Sequence, residues 1–265
     1  MPTVTRPEVD IYYEISGNGP PLLLIPGMLS DSATWLPVLP FLEPHFTVIR
    51  PDNRATGRMQ NCGPFTLPDC ADDLAALVEH LDLQELHVAG HSMGGYLTLM
   101  LADRIPRRLA SLTLLASAPA NGQRNFKLFE HALILRKTSH LPADFWLRNL
   151  FPWLMSPRFF KNPMELDGAM AAAMAYPFAQ SIEAFERQIN ALTGFRSSAA
   201  DGVLPCRIQA VLAAQDLLFP VEDSRKTLKG IPDLRFEVIQ DAAHSIHWEQ
   251  PQAVAQNLIG FALER

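Results

Sequence analysis

The sequence predicts an α/β protein, a mostly parallel sheet with helices on both faces, broken once by a helical insertion. Three observations predict it. Short apolar runs bounded by Gly, Pro, Asp or Asn alternate with segments of helical period along most of the 265 residues, the pattern of strand–helix–strand units. The runs are continuous in apolar character, as strands covered on both faces must be. Between about Asn121 and Ala200 the alternation stops, because helical segments follow one another without a strand among them.

In chain order, Val9–Ser16 ends in Gly17-Asn18-Gly19 and reads as an antiparallel edge strand and turn. Leu22–Ile25 halts at Pro26-Gly27, Phe46–Ile49 at Pro51-Asp52, and Leu86–Ala89 at Gly90, giving three buried parallel strands. Before the third, Leu74, Leu77, Val78 and Leu81 recur at i, i+3, i+4, i+7, and Thr66 with Asp69 forms a capping-box pattern ahead of them. A helix over Met93–Arg104 and a strand over Leu112–Leu115 follow. The insertion carries helices near Phe126–Arg136, Pro142–Leu150, Met164–Met174 and Ile182–Leu192. Strand Ile208–Leu212, helix Val221–Lys229 closed by Gly230 and Pro232, strand Arg235–Ile239 and helix Gln252–Leu263 complete the series. The expected organisation is a core of residues 1–120 and 201–265 with a helical cap of residues 121–200 inserted in it.

Charge and cysteine content exclude several classes. With 22 Lys+Arg against 28 Asp+Glu the net charge is −6, the wrong sign for nucleic-acid binding by phosphate neutralisation. Cys62, Cys70 and Cys206 cannot close a disulfide framework and show no metal-ligand spacing, so they read as reduced thiols of a cytoplasmic protein without a metal. No basic leader followed by an apolar segment opens the chain, and no apolar run is long enough for a membrane span. The expected partner is a small molecule.

Chemistry concentrates at Gly90-His91-Ser92-Met93-Gly94, where a strand passes directly into a helix. That context makes G-x-S-x-G a nucleophile elbow: small residues two before and two after let strand and helix approach, and the central Ser92 is held in strained geometry with its hydroxyl presented. A serine hydroxyl needs a base, and the base a carboxylate. Asp216 follows strand Ile208–Leu212 and His244 follows strand Arg235–Ile239, both just past carboxyl ends. His247 is the competing base. Glu222 and Asp223 are the competing acids, although their place at a helix start has the simpler explanation of dipole stabilisation. Backbone amides of Met28, in the loop after the first parallel strand, and of Met93 would supply an oxyanion hole.

These residues, taken as the ordered set Leu22–Gly27, Asp52-Asn53-Arg54, Gly90–Gly95, Asp216 and Ala243-His244, resemble the α/β-hydrolase superfamily over nearly the whole chain. The loop Gly27–Trp35 and the tail His244–Pro251 look most like small bacterial hydrolases of the 3-oxoadipate enol-lactonase and carboxylesterase type. The resemblance implies an eight-stranded sheet, a helical cap after the sixth strand, no cofactor, and cleavage of a small carboxylic ester or lactone through an acyl-serine. A C–C bond hydrolase of ring-cleavage products would use the same triad. A cofactor-free perhydrolase or a non-catalytic ligand receptor could share the fold. Ser92 in place of Asp sets the chain apart from dehalogenase and epoxide-hydrolase branches. Two positions depart from the pattern: Pro26-Gly27 stands where His-Gly is usual, and Asp52–Met59 carries Ala55 and Met59 where Gly and Ser are usual.

The cap holds 12 aromatic residues of the chain's 15 Phe, 4 Trp and 4 Tyr, and nine Lys+Arg against six Asp+Glu. This composition suggests an apolar pocket wall with cations for an acid-bearing or aromatic substrate. Trp35, Arg148, Arg158, Arg187 and Trp248 are the candidate substrate contacts.

Overall fold

The computed structural model describes residues 3–6, 8–118, 122–192 and 204–264. Its elements are β1 (Thr3–Thr5), β2 (Asp10–Gly17), β3 (Pro21–Ile25), α1 (Leu39–Leu42), β4 (Thr47–Pro51), α2 (Leu67–His80), β5 (Leu86–His91), α3 (Met93–Arg104), β6 (Leu109–Leu115), α4 (Gln123–Lys137), α5 (Phe145–Leu154), α6 (Pro163–Ala175), α7 (Ile182–Leu192), β7 (Arg207–Ala213), α8 (Val221–Leu228), β8 (Arg235–Ile239), α9 (Ile246–Glu249) and α10 (Pro251–Leu263). The eight strands form one sheet in the order β1-β2-β4-β3-β5-β6-β7-β8. The β1–β2 and β2–β4 pairs are antiparallel and the remaining neighbours parallel.

The continuous apolar runs have the expected cause. Leu22 and Leu24 of β3 enter one buried cluster with Trp35, Val48 and Ala89, while Leu23 and Ile25 enter the other with Ile49 and Val88. Successive side chains of a strand point to opposite faces, so a sheet covered on both needs apolar residues at every position. β8, at the edge, is less buried and correspondingly carries Arg235 and Glu237.

The capping box at the start of α2 is present: the Asp69 amide donates to Thr66 Oγ1 at 3.4 Å, and Asp69 Oδ2 accepts the Thr66 amide at 2.7 Å. Helices α4–α7 lie between β6 and β7, which are neighbours in the sheet. They are therefore an insertion in topology. The boundaries expected at residues 121 and 200 lie outside the described residues. Pro152 sits inside α5, which runs past the expected end at Leu150. β1, α1 and α9, of three or four residues each, are too short to leave a periodic signal. Among the described residues no helix is long and apolar enough to cross a membrane.

Candidate active site

β5 passes into α3 through Ser92, at φ +53 and ψ −118. A non-glycine residue in this region is strained by about 1–3 kcal/mol, and the surroundings hold it there. The Ser92 amide donates to Leu115 O at 3.0 Å, and Ser92 O accepts from the Gly95 amide at 2.9 Å and Ser117 Oγ at 2.7 Å. Gly90 and Gly94 are required for close approach: a Cβ on Gly90 would overlap the Gly94 backbone, and one on Gly94 the Ile25 carbonyl.

His244 lies on the loop after β8 and Asp216 on the loop after β7, both buried. The His244 Nδ1–Asp216 Oδ2 distance is 3.0 Å. Asp216 Oδ1 accepts the amides of Leu218 at 2.8 Å and Phe219 at 3.0 Å, so the carboxylate is fixed from the side away from the imidazole. A carboxylate at Nδ1 keeps the proton there and leaves the Nε2 lone pair as acceptor. The Phe219 ring stacks on the imidazole, centroids 5.6 Å apart and planes within 20°. His91 Nε2 donates to the His244 carbonyl at 2.8 Å. Glu249 holds the same loop from below, its Oε2 accepting the Ala243 amide at 2.8 Å and its Oε1 the Ser156 amide at 3.0 Å.

His247 has a different environment. Its Nε2 bonds Thr34 Oγ1 at 2.9 Å, its ring lies against Trp35 and His91, and its buried Nδ1 has no partner among the described residues. Burial without a carboxylate drives its pKa well below the ordinary imidazole value. Glu222 and Asp223 are exposed on α8, where Asp223 faces Lys226 at 3.7 Å.

Buried, neutral histidines make stability depend on pH. Burial pushes His91 down to about 3 and His87, which bonds Ser111, down to about 4. In the unfolded chain these imidazoles take protons near pH 6.5, so the folded state loses stability as pH falls below that value. Asp31, pushed up by burial, works in the opposite direction but is one group against three. Urea midpoints should therefore fall between pH 7 and 4.5. Flat midpoints across that range would refute the neutral assignment.

The loop after β3 packs onto the elbow: a Cβ on Gly27 would stand 3.0 Å from His91 Nδ1 and 3.1 Å from Ser92 Cβ. Asn53 Nδ2 donates to Pro26 O at 2.9 Å. The Met93 amide lies in the first turn of α3, where no intrahelical acceptor exists. The departures at 52–59 keep the loop's architecture. Asp52 accepts the amides of Ser32 and Arg58, each at 2.8 Å, and Ala55 adopts φ +64 without the usual glycine.

A cavity of about 870 Å³ lies between the carboxyl ends of the strands and the inserted helices, with Met28, Ser92 and His244 on its core side and Trp146, Phe151 and Tyr176 among residues opposite. Tyr176 donates to Asp31 Oδ2 at 2.7 Å across the two halves.

Three expected substrate contacts are corrected. Trp35 is fully buried in the core and does not line the cavity, because it packs under the loop against His247. Arg148 points outward and is neutralised by Asp144 at 2.7 Å and Asp167 at 3.3 Å. Arg187 is used in bonding Gln60 O at 2.9 Å. Arg158 and the half-exposed Trp248 do line the cavity. Sequence reasoning missed Arg136, a cavity residue stacked 4.7 Å from the Trp146 centroid and donating to Gln180 O at 2.5 Å. Its signal was its helical position: Arg136 follows Phe129, also a cavity residue, by seven positions on α4 and so shares its face. Among the described residues no group of three or more His, Cys, Asp or Glu could hold a metal ion.

The sheet order and elbow define a class, and the family model for the alpha/beta hydrolase fold matches residues 20–251: the chain belongs to that family. It is 30% identical over 270 residues to a protein of Azorhizobium caulinodans that bears the name carbamate hydrolase RutD, covering 100% of this chain and 99% of that one. A thermophilic esterase from Thermogutta terrifontis, solved with malate bound, superposes with TM-score 0.80 at 28% identity over 99% of this chain and 96% of its own. The enol-lactonase from Burkholderia xenovorans LB400 shares the fold, with TM-score 0.85 at 20% identity over 99% and 100% of the two chains. The chain is a hydrolase of this superfamily, similar in sequence to proteins named carbamate hydrolase and to an esterase, and it shares its fold with an enol-lactonase.

Proposed function

We propose that the protein is a serine hydrolase that cleaves a small carboxylic ester or lactone through an acyl-Ser92 intermediate, with residues 121–200 serving as its cap. The observation that carries this reading is the strained Ser92 opening onto the same cavity as His244, whose Nδ1 is fixed by Asp216. Ser92 Oγ adds to the carbonyl carbon while His244 Nε2 takes its proton. The oxyanion is met by the amides of Met93 and Met28. Collapse expels the alcohol, protonated by His244, and water then repeats the sequence on the acyl-enzyme. For a lactone the leaving alcohol stays attached to the acyl group.

A p-nitrophenyl ester should give a burst of one equivalent of nitrophenolate when deacylation is slow, and a sulfonyl fluoride should transfer its sulfonyl group, with loss of HF, to the peptide holding Ser92. Steady hydrolysis with no label at Ser92 would reject the mechanism. Amide or carbamate cleavage is the second reading, favoured by the Azorhizobium relative. A higher kcat/KM on a carbamate than on the matched ester would select it. A C–C hydrolase would instead act on a vinylogous diketone.

Among the described residues, Arg136 and Arg158 are the cap cations that line the cavity and could meet an acid-bearing substrate. Changing either to Met should raise KM for a succinate half-ester and leave the neutral methyl diester nearly unaffected. Equal effects on both substrates, or none, would leave an uncharged pocket.

A further inference from the structure

On the side of the Met28 loop away from the sheet, two cap side chains form a hydrogen-bonded chain that no step above employs. Gln188 of α7 is fully buried. Its Oε1 accepts the Leu29 amide at 3.0 Å and Gln180 Nε2 at 3.1 Å, and Gln180 Nε2 also donates to Ala55 O at 2.7 Å. Both groups facing Gln188 Oε1 are donors, so the amide can sit only one way round. That orientation leaves Gln188 Nε2 buried without a partner among the described residues, an expense a merely space-filling side chain would not incur. The residue it grips is itself strained: Leu29 stands at φ +59, a region L-residues avoid. From the core side Asn53 holds Pro26 O of the same loop at 2.9 Å.

We infer that Gln188 is a positioning residue for the oxyanion hole. By engaging the Leu29 amide it turns that N–H toward the cap and leaves the Met28 amide as the loop's donor. The hole is then complete only when the cap is seated on the core, which ties catalytic competence to cap placement across 159 residues of sequence. This inference rests on the acyl-Ser92 reading above.

The test is Gln188→Met, whose unbranched side chain fills similar space without an acceptor. The expected result is a fall in kcat of roughly 10- to 100-fold with KM nearly constant, because the loss is felt where oxyanion charge develops. A trifluoromethyl ketone, which adds to Ser92 and places an oxyanion in the hole, should lose affinity by the same factor. A structural role alone would lower the melting temperature while leaving kcat and the ketone's Ki in place, and that result overturns the inference. If Gln188→Met does not fold, Gln180→Met keeps the Leu29 bond but frees Gln188 to rotate. It should show a smaller, parallel loss in kcat and ketone affinity, and unchanged values overturn the inference. Full kcat in a Gln188→Met protein that still labels at Ser92 refutes the positioning role alone. Absence of labelling in the unsubstituted protein removes the reading beneath it.

Discussion

Ser92→Ala is expected to reduce ester turnover by about 10⁴- to 10⁶-fold, the range for deletion of a nucleophile whose partners remain. The fold should be untouched. Ser92 is held at φ +53 by its own backbone bonds to Leu115, Gly95 and Ser117, and Ala keeps the Cβ and all of those bonds, so the unfolding free energy from urea titration should change by less than about 0.5 kcal/mol. Residual activity reports what the cavity and the amides of Met28 and Met93 achieve with water alone. Hydrolysis at the original rate would show that Ser92 is not the nucleophile and that the elbow serves another purpose.

His244→Ala should match the Ser92 loss, because residues acting as one unit fail together. His247→Ala should keep kcat within about tenfold, since that ring is committed to Thr34 and lies against Trp35. Its cost should appear as stability, of order 1–3 kcal/mol for emptying a buried site. Asp216→Asn should lower kcat by about 10⁴-fold: the amides of Leu218 and Phe219 hold its Oδ1 as acceptor, so the new NH₂ faces His244 Nδ1 and forces the wrong tautomer. Burial keeps His91 and His247 neutral, so neither ring is expected to take over proton transfer from His244. Two histidines exchanging these behaviours would transfer the base to His247.

Much of the architecture was legible because its signals are local. The runs Leu22–Ile25, Leu86–Ala89 and Ile208–Leu212 are apolar at every position for a reason the structure displays, alternate side chains entering two cores. Thr66 and Asp69 announced α2, and the glycines of the elbow announced a crossing too tight for side chains. Asp216 and His244 were legible from another rule, that loops after parallel strands converge at one edge. Two of the three arginines were not. Arg148, Arg158 and Arg187 were chosen for their nearness to aromatics or helix ends, yet Arg148 faces two acids across α5 and α6. Whether a cation meets a substrate or a neighbouring carboxylate depends on helix packing, which composition does not encode.

The sequence by itself determined the sheet, the strained serine and the order of the loops that carry Asp216 and His244, because each follows from periodicity, small residues or strand–loop topology within a few positions. Only the tertiary structure decided that His244 and not His247 faces Asp216, that Trp35 lies beneath the loop and not in the cavity, that Arg136 lines the wall, and that Gln188 reaches the Leu29 amide. Those decisions belong to contacts between distant segments, where a rotation of one helix by a single residue, about 100°, exchanges the side chain that enters the cavity for one that faces water.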